Sequence, residues 1–152
     1  MKKLISVMLV AFMVIVMMTS ACFAAPEYIG AYDSPGSSSM ISITNPDKTY
    51  STTFSSSCSI SGFANAGARV YVYSYDSSSG VYRLHYENAS VLSTTVGASG
   101  IFVLPVKLSA GNNKFLIRAE KDGLYQNVVL NVNLLSASMF SIKSGLMGLK
   151  LN

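Results

Sequence analysis

From Met40 onward apolar and polar residues alternate with a period of two, the spacing that sends successive side chains to opposite faces of a β-strand. The alternation predicts strands over 41–44, 57–63, 69–75, 81–86, 90–96, 101–108, 113–120 and 124–134. Turn-forming residues separate them: Asn45-Pro46-Asp47, Asn65-Ala66-Gly67, Asp76-Ser77-Ser78-Ser79-Gly80, Gly97-Ala98-Ser99-Gly100 and Lys121-Asp122-Gly123. No segment after residue 40 shows a helical period. About seven strands with a turn every ten residues or so predict an all-β chain, two antiparallel sheets stacked as a sandwich.

The phase of the alternation names the core. Phe102, Leu104, Val106 and Leu108 are expected to point inward, as are Phe115, Ile117 and Ala119, and Val128, Leu130, Val132 and Leu134. Pro105 falls on the opposite phase and has no N–H for a ladder, which predicts an edge strand or a bulge there. In 69–75, Val70, Val72 and Ser74 share one face and Tyr71, Tyr73 and Tyr75 the other. With Asp76 to Gly80 as a five-residue loop, Tyr75 is expected opposite Val81, Val72 opposite Leu84 and Val70 opposite Tyr86, which keeps one face apolar.

Ahead of the alternation the pattern changes. Lys2 and Lys3 precede an apolar run from Leu4 to Met18, and small residues follow, through Ala24 and Ala25. This is the layout of a secretory signal peptide, expected over 1–24 with cleavage after Ala24, since Pro26 disfavours cutting after Ala25. Thr19-Ser20-Ala21-Cys22 offers an alternative, a degenerate lipobox with Cys22 as the site of lipid attachment. A third reading keeps the apolar stretch uncleaved as a membrane span. Residues 25–39 are rich in Pro, Gly and Ser and are expected to be a flexible spacer. Residues 136–152 form an apolar, glycine-broken tail, expected to pack on the domain or to dock on a partner or a second copy by strand addition.

Charge and chemistry narrow the functions. Only 12% of residues are charged, and losing Lys2 and Lys3 with the leader lowers the formal charge from +4 to +2, too little to attract a polyanion. Nucleic acid is therefore not an expected partner. Of the two cysteines, Cys22 belongs to the leader, so Cys58 is expected as a buried free thiol on the same face as Ile60. The single histidine and the scattered carboxylates form no metal-ligand or acid/base set, and no metal, cofactor or catalysis is expected. The most site-like feature is the ladder of Tyr71, Tyr73 and Tyr75, flanked across the hairpin by Arg83 and His85. Tyrosines exposed on a rigid strand stack on sugars or anchor a protein interface.

Two stretches carry a resemblance. Ser61-Gly62-Phe63-Ala64-Asn65-Ala66-Gly67-Ala68-Arg69-Val70-Tyr71-Val72 and the later run from Gly100-Ile101-Phe102 through Leu108-Ser109-Ala110-Gly111-Asn112-Asn113 to Ala119 resemble bacterial Ig-like domains of secreted and cell-surface proteins. The match covers 40–135 and implies an immunoglobulin-like antiparallel β-sandwich. Such modules serve as spacers, adhesion domains and accessory domains of glycan-active enzymes. The resemblance implies a non-catalytic bacterial module, secreted or in the cell envelope, contacting protein or carbohydrate and touching the membrane only through its leader or a lipid anchor. Alternatives are a glycan-binding accessory lipoprotein and an envelope structural subunit assembling through its tail.

Overall fold

The computed structural model describes residues 25–37 and 39–135; the expected leader with Cys22 and the expected tail lie outside them. In chain order the strands are β1 (Tyr28–Gly30), β2 (Ile41–Asn45), β3 (Tyr50–Thr53), β4 (Ser57–Ala64), β5 (Arg69–Asp76), β6 (Val81–Leu84), β7 (Tyr86–Glu87), β8 (Ser90–Val91), β9 (Ser93–Thr95), β10 (Ile101–Lys107), β11 (Gly111–Lys121) and β12 (Leu124–Leu134), with no helix among the described residues. A small sheet has the order β10-β4-β2. A large sheet runs β1-β6-β5-β11-β12-β3, with β9 also paired to β5. A short hairpin, β7-β8, stands apart, and every pairing is antiparallel except that of β3 with β12.

The two sheets close on one core, as the alternation requires. Ile41, Ile60, Phe102, Leu104 and Val106 from the small sheet meet Val70, Val72, Phe115, Ile117, Ala119, Leu130 and Val132 from the large one. Each large side chain buried this way contributes about 1.5–3 kcal/mol over its exposed state. Val128, Leu134 and Cys58 pack half-buried at the margin of the core, Cys58 on the Ile60 face as expected. Burial pushes the Cys58 thiol pKa up, which keeps it protonated and unreactive.

Local sequence fixes the registers. Asp122 and Gly123 both take positive φ, 52° and 77°, the two-residue turn whose twist matches that of paired strands. It sets Lys121 opposite Leu124 and so carries Phe115 to Leu130 and Ile117 to Val128. In the small sheet Gly62 allows the close approach of β2: a Cβ there would stand 2.1 Å from the Ser42 carbonyl oxygen. Pro105 lies on an edge strand, as its missing N–H predicted. The Ala64 N–H donates to the Gly100 carbonyl and the Leu108 N–H to that of Ser56, so even-numbered residues of β10 bond to β4 and Pro105 turns its backbone to the open side.

The expectations need three corrections. Strand β3 went unforeseen because Tyr50-Ser51-Thr52-Thr53 carries no apolar alternation; it is a polar edge that pairs in parallel with β12. The expected strand over 90–96 is broken into β8 and β9 at Leu92, because β5 has two partners on one edge, β6 for Tyr73–Asp76 and β9 for Arg69–Tyr71. Between them the Val72 carbonyl accepts from the His85 N–H, the Val72 N–H donates to the Leu92 carbonyl, and 86–91 are extruded as the β7-β8 hairpin.

The third correction concerns the expected flexible spacer, which is instead a fastened strap. Its residues Tyr28, Ile29 and Gly30 pair with Arg83, Tyr82 and Val81. Asp33 then turns the chain by accepting the Gly30 N–H at 2.8 Å. Past the turn, the Ser37 N–H donates to the Tyr125 carbonyl at 2.7 Å, and the Asn127 N–H donates to the Pro35 carbonyl at 2.7 Å. β6 and β12 flank the central pair β5 and β11, so the segment spans the outer face of the large sheet. Gly36 is required where it lands: its φ is 77°, and a Cβ would sit 2.1 Å from the Tyr125 carbonyl oxygen.

Candidate functional site

The tyrosine ladder occupies the outer face of the large sheet, as the alternation predicted, but it is not an exposed platform. Tyr73 is 0% exposed and Tyr71 6%; with Ile29, Tyr82 and Leu116 they make a second buried cluster. The Tyr73 hydroxyl donates to the Pro26 carbonyl at 2.9 Å, fixing the strap over it. Burial drives the Tyr73 phenol pKa far above its usual range, so it remains a hydrogen-bond donor. Of the three rungs only Tyr75 reaches the surface in part, its ring 5.2 Å from that of Tyr82.

Arg83 and His85 do not flank the ladder. The loop after β5 has four residues, not five, and Asp76 pairs with Val81 and Tyr75 with Tyr82. This one-residue slip turns every side chain of β6 over relative to the expected register. Tyr82 and Leu84 therefore stand beside Tyr75 and Tyr73, while Arg83 moves to the other face with Ser74 and Asp76. There the Arg83 Nε meets the Asp76 Oδ2 at 3.1 Å. Hydrogen bonds from Ser78 foremost, then Ser79 and Arg83, hold the Asp76 carboxyl well below the usual carboxylate range. These bonds favour the tighter loop and were not readable from alternation alone.

His85 sits behind the sheet, its ring edge-on to Phe115 at 5.9 Å. Its Nε2 is 3.6 Å from a Glu87 oxygen, beyond hydrogen-bond range, and the Glu87 Oε1 meets the Lys107 Nζ at 2.6 Å. That ion pair ties the β7-β8 hairpin to β10 and lowers the Glu87 pKa. The arrangement is a clasp between the sheets. On the ladder face the Arg118 Nε bonds the Glu120 Oε1, and the Arg118 guanidinium lies 4.0 Å from the centre of the Tyr125 ring.

Among the described residues an uncovered apolar surface lies on the small sheet, where no site was expected. Phe63, Ile101 and Val103 are 54%, 53% and 56% exposed on its outer face, and Ile101 pairs directly with Phe63. Beside them the pairs Pro105 with Ser59 and Val103 with Ser61 continue a flat, uncharged strip, ended by Lys107 opposite Ser57. A shallow groove of about 290 Å³ runs past Phe63 between Ser42 and Asn65. The signal for this face was present in the sequence: from Ile101 to Val106 both phases of the strand are apolar, which marks a strand with two apolar faces.

No known protein family and no curated protein matches this chain. Its functional reading therefore rests on its own residues.

Proposed function

We propose that this chain is an exported, non-catalytic Ig-like module that acts at the bacterial cell surface or outside the cell by contacting protein or carbohydrate. The observation that carries the reading is the open outer face of the small sheet, where Phe63, Ile101 and Val103 stay exposed although the larger sheet has a strap over its own apolar face. Exposed contiguous apolar side chains rimmed by small polar ones are the usual mark of a contact surface. The Ig-like part of the reading draws support from the strand order. One sheet holds the first, second and fourth long strands of the sandwich (β2, β4 and β10), and the other holds β5, β11 and β12, a division like that of A-B-E and C-F-G. Export is supported by the basic, apolar and small-residue sequence of 2–25. Of the ladder residues first considered for contact, Tyr71 and Tyr73 leave the proposal because they are covered.

Purified wild-type protein and a Phe63→Ser/Ile101→Ser variant, incubated with isolated bacterial envelopes and sedimented, test this. The wild type is expected to co-sediment and the double variant to stay in solution with its circular dichroism spectrum intact. Equal retention of both overturns the assignment of this face.

A further inference from the structure

The groove beside Phe63 differs from the apolar strip around it in what lines it. The buried Met40, Ile41 and Ala64 lie along it with the exposed Phe63, Ser42 and Asn65, and it opens directly to solvent. Ser42 on β2 is the register partner of Phe63 on β4, so the two side chains stand next to each other on the outer face. Asn65 follows β4, and its backbone N–H donates to the Met40 carbonyl at 3.1 Å. Among the described residues the Ser42 hydroxyl and the Asn65 side-chain amide have no hydrogen-bond partner, and no residue lining the groove is charged.

The edges of the small sheet narrow what can bind beside this groove. A peptide captured by strand addition needs a row of free backbone donors and acceptors along an edge. On β10 that row is interrupted at Pro105, which has no N–H. On β2 the Ile41 N–H is already taken by the Gln126 Oε1 at 2.9 Å, and the strand is bulged between Ile43 and Asn45. Both edges are poor templates for another strand. Recognition here therefore falls to side chains on the face: one aromatic ring and two neutral hydrogen-bonding groups.

We propose that Phe63, Ser42 and Asn65 form a binding site for one neutral sugar unit of a saccharide. The inference rests on the reading of this face as the contact surface and names the class of partner it takes. The exposed Phe63 ring, fixed on a strand paired on both sides, is a flat apolar platform for the C–H face of a pyranose. The sugar hydroxyls replace water on the Ser42 hydroxyl and on the Asn65 amide, which together donate and accept. An anionic ligand would give up hydration with no cation in the groove to replace it. The groove volume of about 290 Å³ is at the small end of ligand sites, which suits one or two sugar rings.

The test is titration of the full chain with cellobiose, chitobiose and maltose, followed by saturation-transfer NMR and calorimetry. At least one of them is expected to bind with a millimolar dissociation constant, weakened about tenfold by Phe63→Leu, which keeps an apolar side chain and removes the ring. The Ser42→Ala/Asn65→Ala double variant is expected to weaken it by a similar factor. All three residues are exposed, and an unchanged circular dichroism spectrum verifies that each variant is folded. No binding of any of the three sugars, or binding that is equal in the wild type and both variants, overturns the proposal. Envelope sedimentation is the separate readout of the contact face. Wild type that sediments with envelopes yet binds no sugar overturns the sugar site alone; wild type that binds sugar through Phe63 yet stays in solution upholds the site and overturns the envelope reading.

Discussion

The outer faces of the two sheets receive opposite treatment. On the large sheet Tyr71, Tyr73 and Leu116 are roofed by residues 25–37, which are pinned at both flanks, by β6 and by the Tyr125–Asn127 stretch of β12. On the small sheet Phe63, Ile101 and Val103 have nothing over them among the described residues. Both faces are apolar by sequence, so apolarity alone does not tell a second core from a contact surface. Coverage decides, and coverage here comes from residues whose composition reads as loop.

If the strapped face is a true core, truncating its central residue should cost as much as any core truncation. Tyr73→Ala is expected to lose about 3–5 kcal/mol in urea denaturation, because a fully buried aromatic leaves a cavity. A loss below about 1 kcal/mol would mean that the strap is not seated. Gly36→Ala attacks the strap without touching the ladder, since its Cβ collides with the Tyr125 carbonyl and its φ suits glycine. We expect a loss of about 1–3 kcal/mol together with faster hydrogen exchange at Ser37 and Asn127.

Tyr73→Phe keeps the shape and drops the bond to Pro26, for a loss of about 1 kcal/mol at neutral pH. It also tests the pH response. The folded pKa of Tyr73 is raised, so its contribution is intact below about pH 10 and is lost as the pH climbs above that value, where the unfolded phenol ionises first. The alkaline fall in melting temperature should therefore be shallower in the variant. On the open face, Ile101→Ser should change stability by no more than about 0.5 kcal/mol while reducing envelope binding. The smallest effect is electrostatic. Asp76 and Glu87 have lowered folded pKa values and stabilise above their unfolded values near 4; this is lost as the pH falls below that point. Differential scanning calorimetry across the acid range should show a shallower slope for Asp76→Asn.

Most of the shared core was legible. Phe102, Leu104, Val106, Phe115, Ile117, Leu130 and Val132 are buried on the faces that their phase predicted, because period two is a local property of an extended chain. The candidate site was far less so. Alternation placed Tyr71, Tyr73 and Tyr75 together but could not say that Pro26 and Ile29 would lie over them. The hairpin register was missed because Asp76, Ser78 and Ser79 bond one another into a four-residue loop, and one residue of slip exchanges Arg83 for Tyr82 on the ladder face.

By itself the sequence determined that this chain is all-β and which residues face the common core, since both follow from neighbours two apart along one strand. Only the tertiary structure decided which outer face is closed and which is open, and where Arg83 and His85 point. Those outcomes depend on pairings between strands far apart in the chain. The free energy of such a pairing lies in backbone bonds and coverage that no single segment contains.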